Sequence, residues 1–266
     1  MRLRVEHVTV LTYDEPALEG YTEVRLRPRE GEGQRCLSFA LDTQPAAAVH
    51  AYRDRHDNEV LHFDVLAAHE ELTITARSEV ETSGGLKGAS RELSLLDRFD
   101  FLAPTAMTPF SDRVRSLAEP CRVAGDGLAT ASRVLWTVRR ALRYESGATD
   151  VGTSADEAIA HGVGVCQDFA HVMIAACRLL GVPARYVSGY IYAPESASAL
   201  ASHAWVDVFA DRQGWHSLDP THDTAQGPQH VRVAVGRDYT DVPPTRGVFK
   251  GNGRESLAVA VRLQAI

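Results

Sequence analysis

Cys166, His203 and Asp219 are the residues of this 266-residue chain whose types and settings could do chemistry together. A thiol becomes an effective nucleophile when a base takes or holds its proton. That base, an imidazole, needs an acceptor on its second nitrogen to fix its orientation. Cys166 sits in the stretch Gly162-Val-Gly-Val-Cys166-Gln-Asp-Phe-Ala-His171. Phe169, Val172, Met173, Ala176, Leu179 and Leu180 then recur at three and four residues, which predicts a helix with one apolar face. Gly181 and Pro183 supply the stop signal. Cys166 therefore falls in a first helical turn, where aligned peptide dipoles and unpaired N–H groups favour a thiolate over a thiol. Gly162 and Gly164 leave room beside the sulfur for another backbone or a substrate. Taken alone, a cysteine at a helix start reads most simply as a packing residue. The histidine and aspartate downstream change that reading to acyl transfer, in which a thiolate attacks an amide or ester carbonyl.

The elements that must bring these residues together can be placed from the pattern. Ser202-His203-Ala-Trp205-Val-Asp207-Val-Phe209 alternates like a strand and puts His203, Trp205, Asp207 and Phe209 on one face. A turn at Asp211-Arg-Gln-Gly214 sends the chain back through Trp215 to Asp219, so a hairpin would return Asp219 roughly opposite His203. Upstream, residues 127–143 carry a helical stripe, and Ser154 followed by Glu157 marks a helix start delivering the chain to the cysteine loop. Ser111 and Asp112 could cap a helix to about Ala118, and Ala184 to Tyr192 reads as a strand. The small-residue loop Pro194 to Ala201 precedes His203, and mobility is expected there. Residues 1–82 read as short strands broken by turn clusters, which suits an antiparallel β-sandwich. Residues 84–109 read as loop, and the segment beyond Asp219 as further strands, clearest at Leu257 to Leu263.

Composition excludes several function classes. The formal charge of −7, with no run of Lys and Arg, argues against nucleic acid. No apolar run reaches membrane-spanning length. The first residues alternate like a strand and lack an apolar signal core, so a cytoplasmic address is expected. The cysteines, Cys36, Cys121, Cys166 and Cys177, form no Cys-x-x-Cys pair, and none is expected to be bridged. No metal or cofactor is expected: His161, His171, His203, His216 and His222 show no ligand spacing on a helix or strand, and His171 reads as a packed residue.

Four segments carry a family resemblance: Gly164-Val-Cys166-Gln-Asp168-Phe-Ala-His171, Gly181-Val-Pro183-Ala-Arg185-Tyr-Val-Ser-Gly189-Tyr, His203-Ala-Trp205-Val and Asp219-Pro220-Thr. Together they resemble the transglutaminase-like superfamily. His7-x-Thr9-x-x-Thr12-Tyr13, Arg25-Leu-Arg-Pro28-Arg29 and Gly236-Arg-Asp238-Tyr239-Thr-Asp241-Val-Pro243 are similar to the bacterial proteins that place a β-rich domain before such a core. The resemblance implies an α+β fold. An N-terminal antiparallel β-sandwich-like domain (1–105) would be followed by a papain-like core with C-terminal strands (106–266), its Cys-bearing helix packed on an antiparallel sheet.

It also implies Cys166 as nucleophile, His203 as general base and then acid, and Asp219 as orienter. The family's animal enzymes carry Trp directly after the nucleophile, where Gln167 stands here. The Cys166 N–H is then the first oxyanion donor, with Gln167 or Tyr144 as a second, and Trp205 joins these two as a candidate for oxyanion or substrate positioning. A cysteine peptidase or amidase acting on a peptide or protein amide is the expected activity. A transglutaminase passing the acyl group to an amine, and a non-catalytic peptide-binding module, are the alternatives. Relatives often occur alongside ATP-grasp-type proteins, a partner class the resemblance suggests. Oligomeric state is not legible.

Overall fold

A computed structural model of the chain describes residues 1–31, 33–84, 86, 92–193, 202–211, 213–222, 224–225 and 227–266. The loop expected at 194–201 lies outside the described residues. The first third of the chain forms β1 (Arg2–Ala17), β2 (Glu19–Val24), β3 (Gln34–Gln44), β4 (His50–Arg53), β5 (Glu59–Val65) and β6 (His69–Thr82). Burial alternates residue by residue along β1, β2 and β6, the signature of strands with one face on a core. Helices follow at α1 (Leu95–Asp100), α2 (Asp112–Ala118) and α3 (Gly127–Ala141), the last capped by the Asp126 side chain on the Ala129 N–H. The two-residue strand β7 (Arg143–Tyr144), helix α4 (Ala155–His161) and strand β8 (Val163–Gly164) lead into α5 (Cys166–Leu179). Strands β9 (Ala184–Ile191), β10 (His203–Ala210), β11 (Gly214–Asp219), β12 (Thr224–Ala225) and β13 (His230–Gly236) build the second sheet region. The chain closes with β14 (Thr245–Lys250) and β15 (Glu255–Ala265).

Two four-stranded antiparallel sheets, ordered β15-β1-β6-β3 and β14-β2-β5-β4, form the sandwich. Its interior holds Leu11, Phe63, Leu72 and Ile74. The C-terminal strands, expected with the core, hydrogen-bond instead in the sandwich: Leu3 faces Ala265 and Val24 faces Thr245. Both ends of the chain therefore build this layer.

The core sheet is antiparallel in the order β12-β11-β10-β9-β13, with α5 lying on β9 and β10 and flanked by α2, α3 and α4. The apolar spacing in α5 predicts one buried face, yet every residue from Gln167 to Arg178 is buried. A helix enclosed on all sides is what its run of alanines and aliphatics permits. In β10, Ala204, Val206 and Val208 share the core with α5. On the opposite face Trp205 clusters with Val187 and Val235, and Phe209 with Trp215 and Phe101.

The sandwich grips the core sheet at its free edge, β13. The Gln34 amide accepts from the Arg232 N–H at 2.8 Å and donates to the Arg232 carbonyl at 2.8 Å. Asn58 does the same for Val235, at 2.8 Å in both directions. Two side-chain amides thus occupy the positions a neighbouring strand would take, satisfying groups that could not be left unpaired in a buried edge.

Candidate active site

Cys166 is the first residue of α5, and three local devices set its position. Gly162 adopts φ 67° at the end of α4, a left-handed conformation glycine takes without strain. The β7–β8 pair then ties Tyr144 alongside Gly164 in parallel register, with the Glu145 N–H donating to the Gly164 carbonyl at 3.0 Å. Asp168, three residues into the turn, accepts the Val165 N–H at 2.7 Å and the Thr149 hydroxyl at 2.7 Å. This carboxylate makes the return bond of a capping box, to the backbone of Val165, which has no side-chain oxygen to cap the turn itself. Burial raises the Asp168 pKa above its ordinary value, while the Thr149 and Val165 donors oppose that rise.

His203 opens β10 and Asp219 closes β11. Because Val206 faces Leu218, the register continued one step places Asp219 beside Trp205, two residues along from His203. The His203 imidazole bridges that offset, with its Nε2 at 2.8 Å from Asp219 Oδ2. Nε2 is thereby committed, which leaves Nδ1 as the nitrogen available to Cys166, with which His203 shares a cavity. Burial disfavours the charged imidazole most strongly. The hydrogen bond to Asp219, the neighbouring Cys166 sulfur and the charges of both outweigh it and raise His203 from 6.5 to about 10. Asp219 is likewise penalised by burial, yet its bonds to His203 and His230 hold it well below the usual carboxylate range.

Cys166 and His203 share a cavity of about 350 Å³ with Tyr144, Ile191, Ser202, Thr221 and His222. Of the three residues expected around the oxyanion or substrate, the structure brings Tyr144 to this cavity. Gln167 turns away and donates its amide to the Val151 carbonyl at 3.0 Å. Trp205 is fully enclosed and packs against the imidazole, its ring centroid 5.9 Å from that of His203 and the two planes 28° apart. The indole packs the imidazole in place and does not reach the cavity. His171 is packed and bonded as expected, accepting the Tyr239 N–H at 3.2 Å.

Two further histidines border the site without a signal in the sequence spacing. His222 lies with its ring centroid 5.0 Å from that of His203. His230, from β13, reaches Asp219 Oδ2 at 3.4 Å. With His203 and Asp219 it forms the one group among the described residues in which three ligand-type atoms lie within 4.8 Å of one another. Those atoms are engaged with each other, since both imidazoles point to the same carboxylate oxygen. The arrangement is a hydrogen-bonded cluster of acceptor and donors. Behind it a second buried set, Asp207 with Arg185 at 2.8 Å and Arg232 at 2.6 Å, braces β9, β10 and β13. Burial would raise Asp207, but the two guanidinium groups dominate and lower it to about 2.

All four cysteines are free. Cys177 is enclosed in α5, where burial pushes its thiol far above the ordinary value, whereas Cys166 is half-exposed at the cavity. Among the described residues no helix is long and apolar enough to cross a membrane.

Comparison with known proteins places this geometry. Residues 115–220 match the transglutaminase-like superfamily, and residues 3–81 match the bacterial transglutaminase-like N-terminal region. An uncharacterised protein of Mycobacterium leprae is 37% identical over 278 residues, covering 98% of each chain. One of Mycobacterium tuberculosis is 33% identical over 282 residues, 96% of this chain and 90% of its own. A protein-glutamine gamma-glutamyltransferase of Pseudomonas aeruginosa is 35% identical over 100 residues, 33% of this chain and 15% of that protein. In structure, a candidate cysteine protease from Cytophaga hutchinsonii superposes with a TM-score of 0.76 at 20% identity, covering 100% of this chain and 92% of that one. That likeness extends over the sandwich and the core together. The chain belongs to the transglutaminase-like superfamily, in the group that joins the bacterial N-terminal region to the core.

Proposed function

We propose that the protein is a cysteine-dependent acyl-transfer enzyme that hydrolyses amide bonds through a thioester on Cys166. The observation that carries this reading is the placement of His203: held by Asp219 at 2.8 Å on one nitrogen, it shares the wall of a cavity with Cys166. The Cys166 thiolate attacks the carbonyl carbon and the carbonyl electron pair moves onto oxygen. Collapse of this tetrahedral species breaks the C–N bond, and the proton on His203 Nδ1 leaves with the amine. Water then gives a proton to His203 as it adds to the thioester. The C–S bond breaks, which restores the thiolate and imidazolium.

The developing oxyanion is served by the Cys166 N–H, one of the first-turn donors with no partner inside the helix, and by the Tyr144 hydroxyl. Burial and the nearby Cys166 charge raise the Tyr144 pKa, so the phenol keeps its proton and remains a donor. The substrate is a peptide or protein amide. The test is a screen of peptide amides and anilides with wild type and Cys166→Ala. Turnover that persists in Cys166→Ala would sink the reading.

The partial match to a glutamyltransferase favours a second reading, in which a primary amine replaces water as the acyl acceptor. Incorporation of a dansyl amine into a glutamine-containing protein, faster than release of the free acid, would select it.

A further inference from the structure

His230 stands outside every role assigned above, yet it shares the carboxylate on which the site turns. Its Nδ1 accepts the Gly227 N–H at 3.2 Å, so the ring hydrogen is on Nε2, which points at Asp219 Oδ2 from 3.4 Å. The same oxygen receives His203 Nε2 at 2.8 Å. The other oxygen, Oδ1, accepts the N–H groups of Thr221 at 2.9 Å and His222 at 3.2 Å. Asp219, fully enclosed, therefore receives four hydrogen bonds, and His230 is the one donor that comes from outside its own hairpin. His230 is itself enclosed and edge-on to Trp205 at 5.2 Å between ring centroids, so its ring cannot swing away.

We propose that His230 is a positioning residue: it holds Oδ2 of Asp219 and shares its charge, so that His203 keeps Nδ1 directed at Cys166. This rests on the reading of Cys166, His203 and Asp219 as one reacting set. An acceptor with one strong donor on Oδ2 would be free to pivot about its Oδ1 bonds. A second donor on the same atom fixes the plane of the carboxylate. Sharing the oxygen also tempers the charge with which Asp219 stabilises the imidazolium, whose Nδ1 proton must leave with the amine in each turnover. The ionisable groups facing this oxygen and the imidazole are His203, His222, His230 and Cys166, with Arg139 next outward, its guanidinium on the Thr221 carbonyl at 2.6 Å.

The experiment compares His230→Ala, His230→Leu and His230→Gln, since the glutamine amide nitrogen can take the place of Nε2. Two quantities are read in each: the NMR titration midpoint of His203, and the rate at which iodoacetamide alkylates Cys166 at neutral pH. Without the donor the His203 midpoint moves up, because the carboxylate charge falls on one partner. Alkylation slows by about three- to tenfold, the scale of one ordinary hydrogen bond, as the 3.4 Å length of this one suggests, and Gln restores both. Unchanged values in Ala or Leu, or equal loss in Gln and Leu with the fold intact by circular dichroism, would overturn the proposal. If Ala and Leu fail to fold, a Gln variant whose His203 midpoint departs from wild type does so as well. His203→Ala is the separate control. If it leaves Cys166 alkylation and turnover as in wild type, the shared reading of the reacting set has failed, whereas the titration of His203 still reports on His230.

Discussion

At the scale of single residues, Cys166, His203 and Asp219 have separate and checkable contributions. Cys166→Ala and His203→Ala should abolish turnover. Asp219→Asn should lower it by on the order of 10³- to 10⁴-fold, because the amide offers an N–H where the imidazole needs an acceptor. A steady-state assay with any amide found by screening decides this. The raised pKa of His203 gives a second prediction. Its charged form persists through neutral pH and is lost near pH 10, so turnover should fall with an alkaline limb there, and the NMR titration of His203 should have its midpoint there. A midpoint near the ordinary value of 6.5 would remove the ion-paired imidazole from the mechanism. The same shift stabilises the fold: the contribution is complete below pH 6.5 and disappears as pH rises through about 10.

These three residues were legible because their local surroundings are distinctive in sequence: a glycine-led helix start and the two arms of one hairpin. His230 was not, since it arrives on β13, and its partner relation appears only once β13 is laid beside β9. Gln167 shows the converse. Its place next to the nucleophile suggested a donor, but a helix turns successive side chains about 100° apart, and this one points to Val151.

At the scale of elements, the site depends on close approaches that a side chain would block. Gly189 sits in β9 opposite His203 on one side and Arg232 on the other. A Cβ there would lie 2.2 Å from the Val231 carbonyl oxygen and 2.6 Å from the Trp205 ring. Backbone cannot yield as a flexible side chain can, so Gly189→Ala should destabilise by about 1–3 kcal/mol or more and displace Trp205 from its place against His203. Thermal unfolding together with the near-ultraviolet signal of tryptophan would show both effects; a wild-type Tm would contradict the packing described.

Helix starts were the most legible elements. Ser111 and Ser154 cap α2 and α4 as their sequences suggest, Ser154 through reciprocal bonds with Glu157. Helix α1 escaped the sequence because its apolar residues do not face inward: Leu95 is 89% and Phe99 69% exposed, so no buried stripe marks it. The pairing of β7 with β8 escaped for another reason. Two residues a side carry no periodicity, and their register is set by the chain on either side.

At the scale of the whole molecule, the clamp of Gln34 and Asn58 on β13 links the sandwich to the strand that carries His230. Asn58→Leu would leave the Val235 N–H and carbonyl enclosed without partners, at about 1–3 kcal/mol for each orphaned group. The expected outcome is a lower Tm and a loss of activity even though residue 58 is remote from Cys166. Unchanged stability would mean that water or a neighbouring group replaces the amide. The sandwich was visible in the sequence as alternating strands, and the helix-on-sheet core through the resemblance carried by the segments around Cys166, His203 and Asp219. Their connection was not, because single amides on loops and strand ends leave no pattern.

The return of β14 and β15 to the first sheets also has a kinetic meaning. In a growing chain β1 and β2 emerge more than 200 residues before their outer neighbours, residues 255–265 and 245–250. Until then both strands carry an open flank that any extended peptide could occupy. The sandwich can therefore be completed only after the core has emerged, and its closure is the late event. Nascent chains arrested before residue 245 should be more susceptible to protease within residues 2–24 than chains that extend past residue 265.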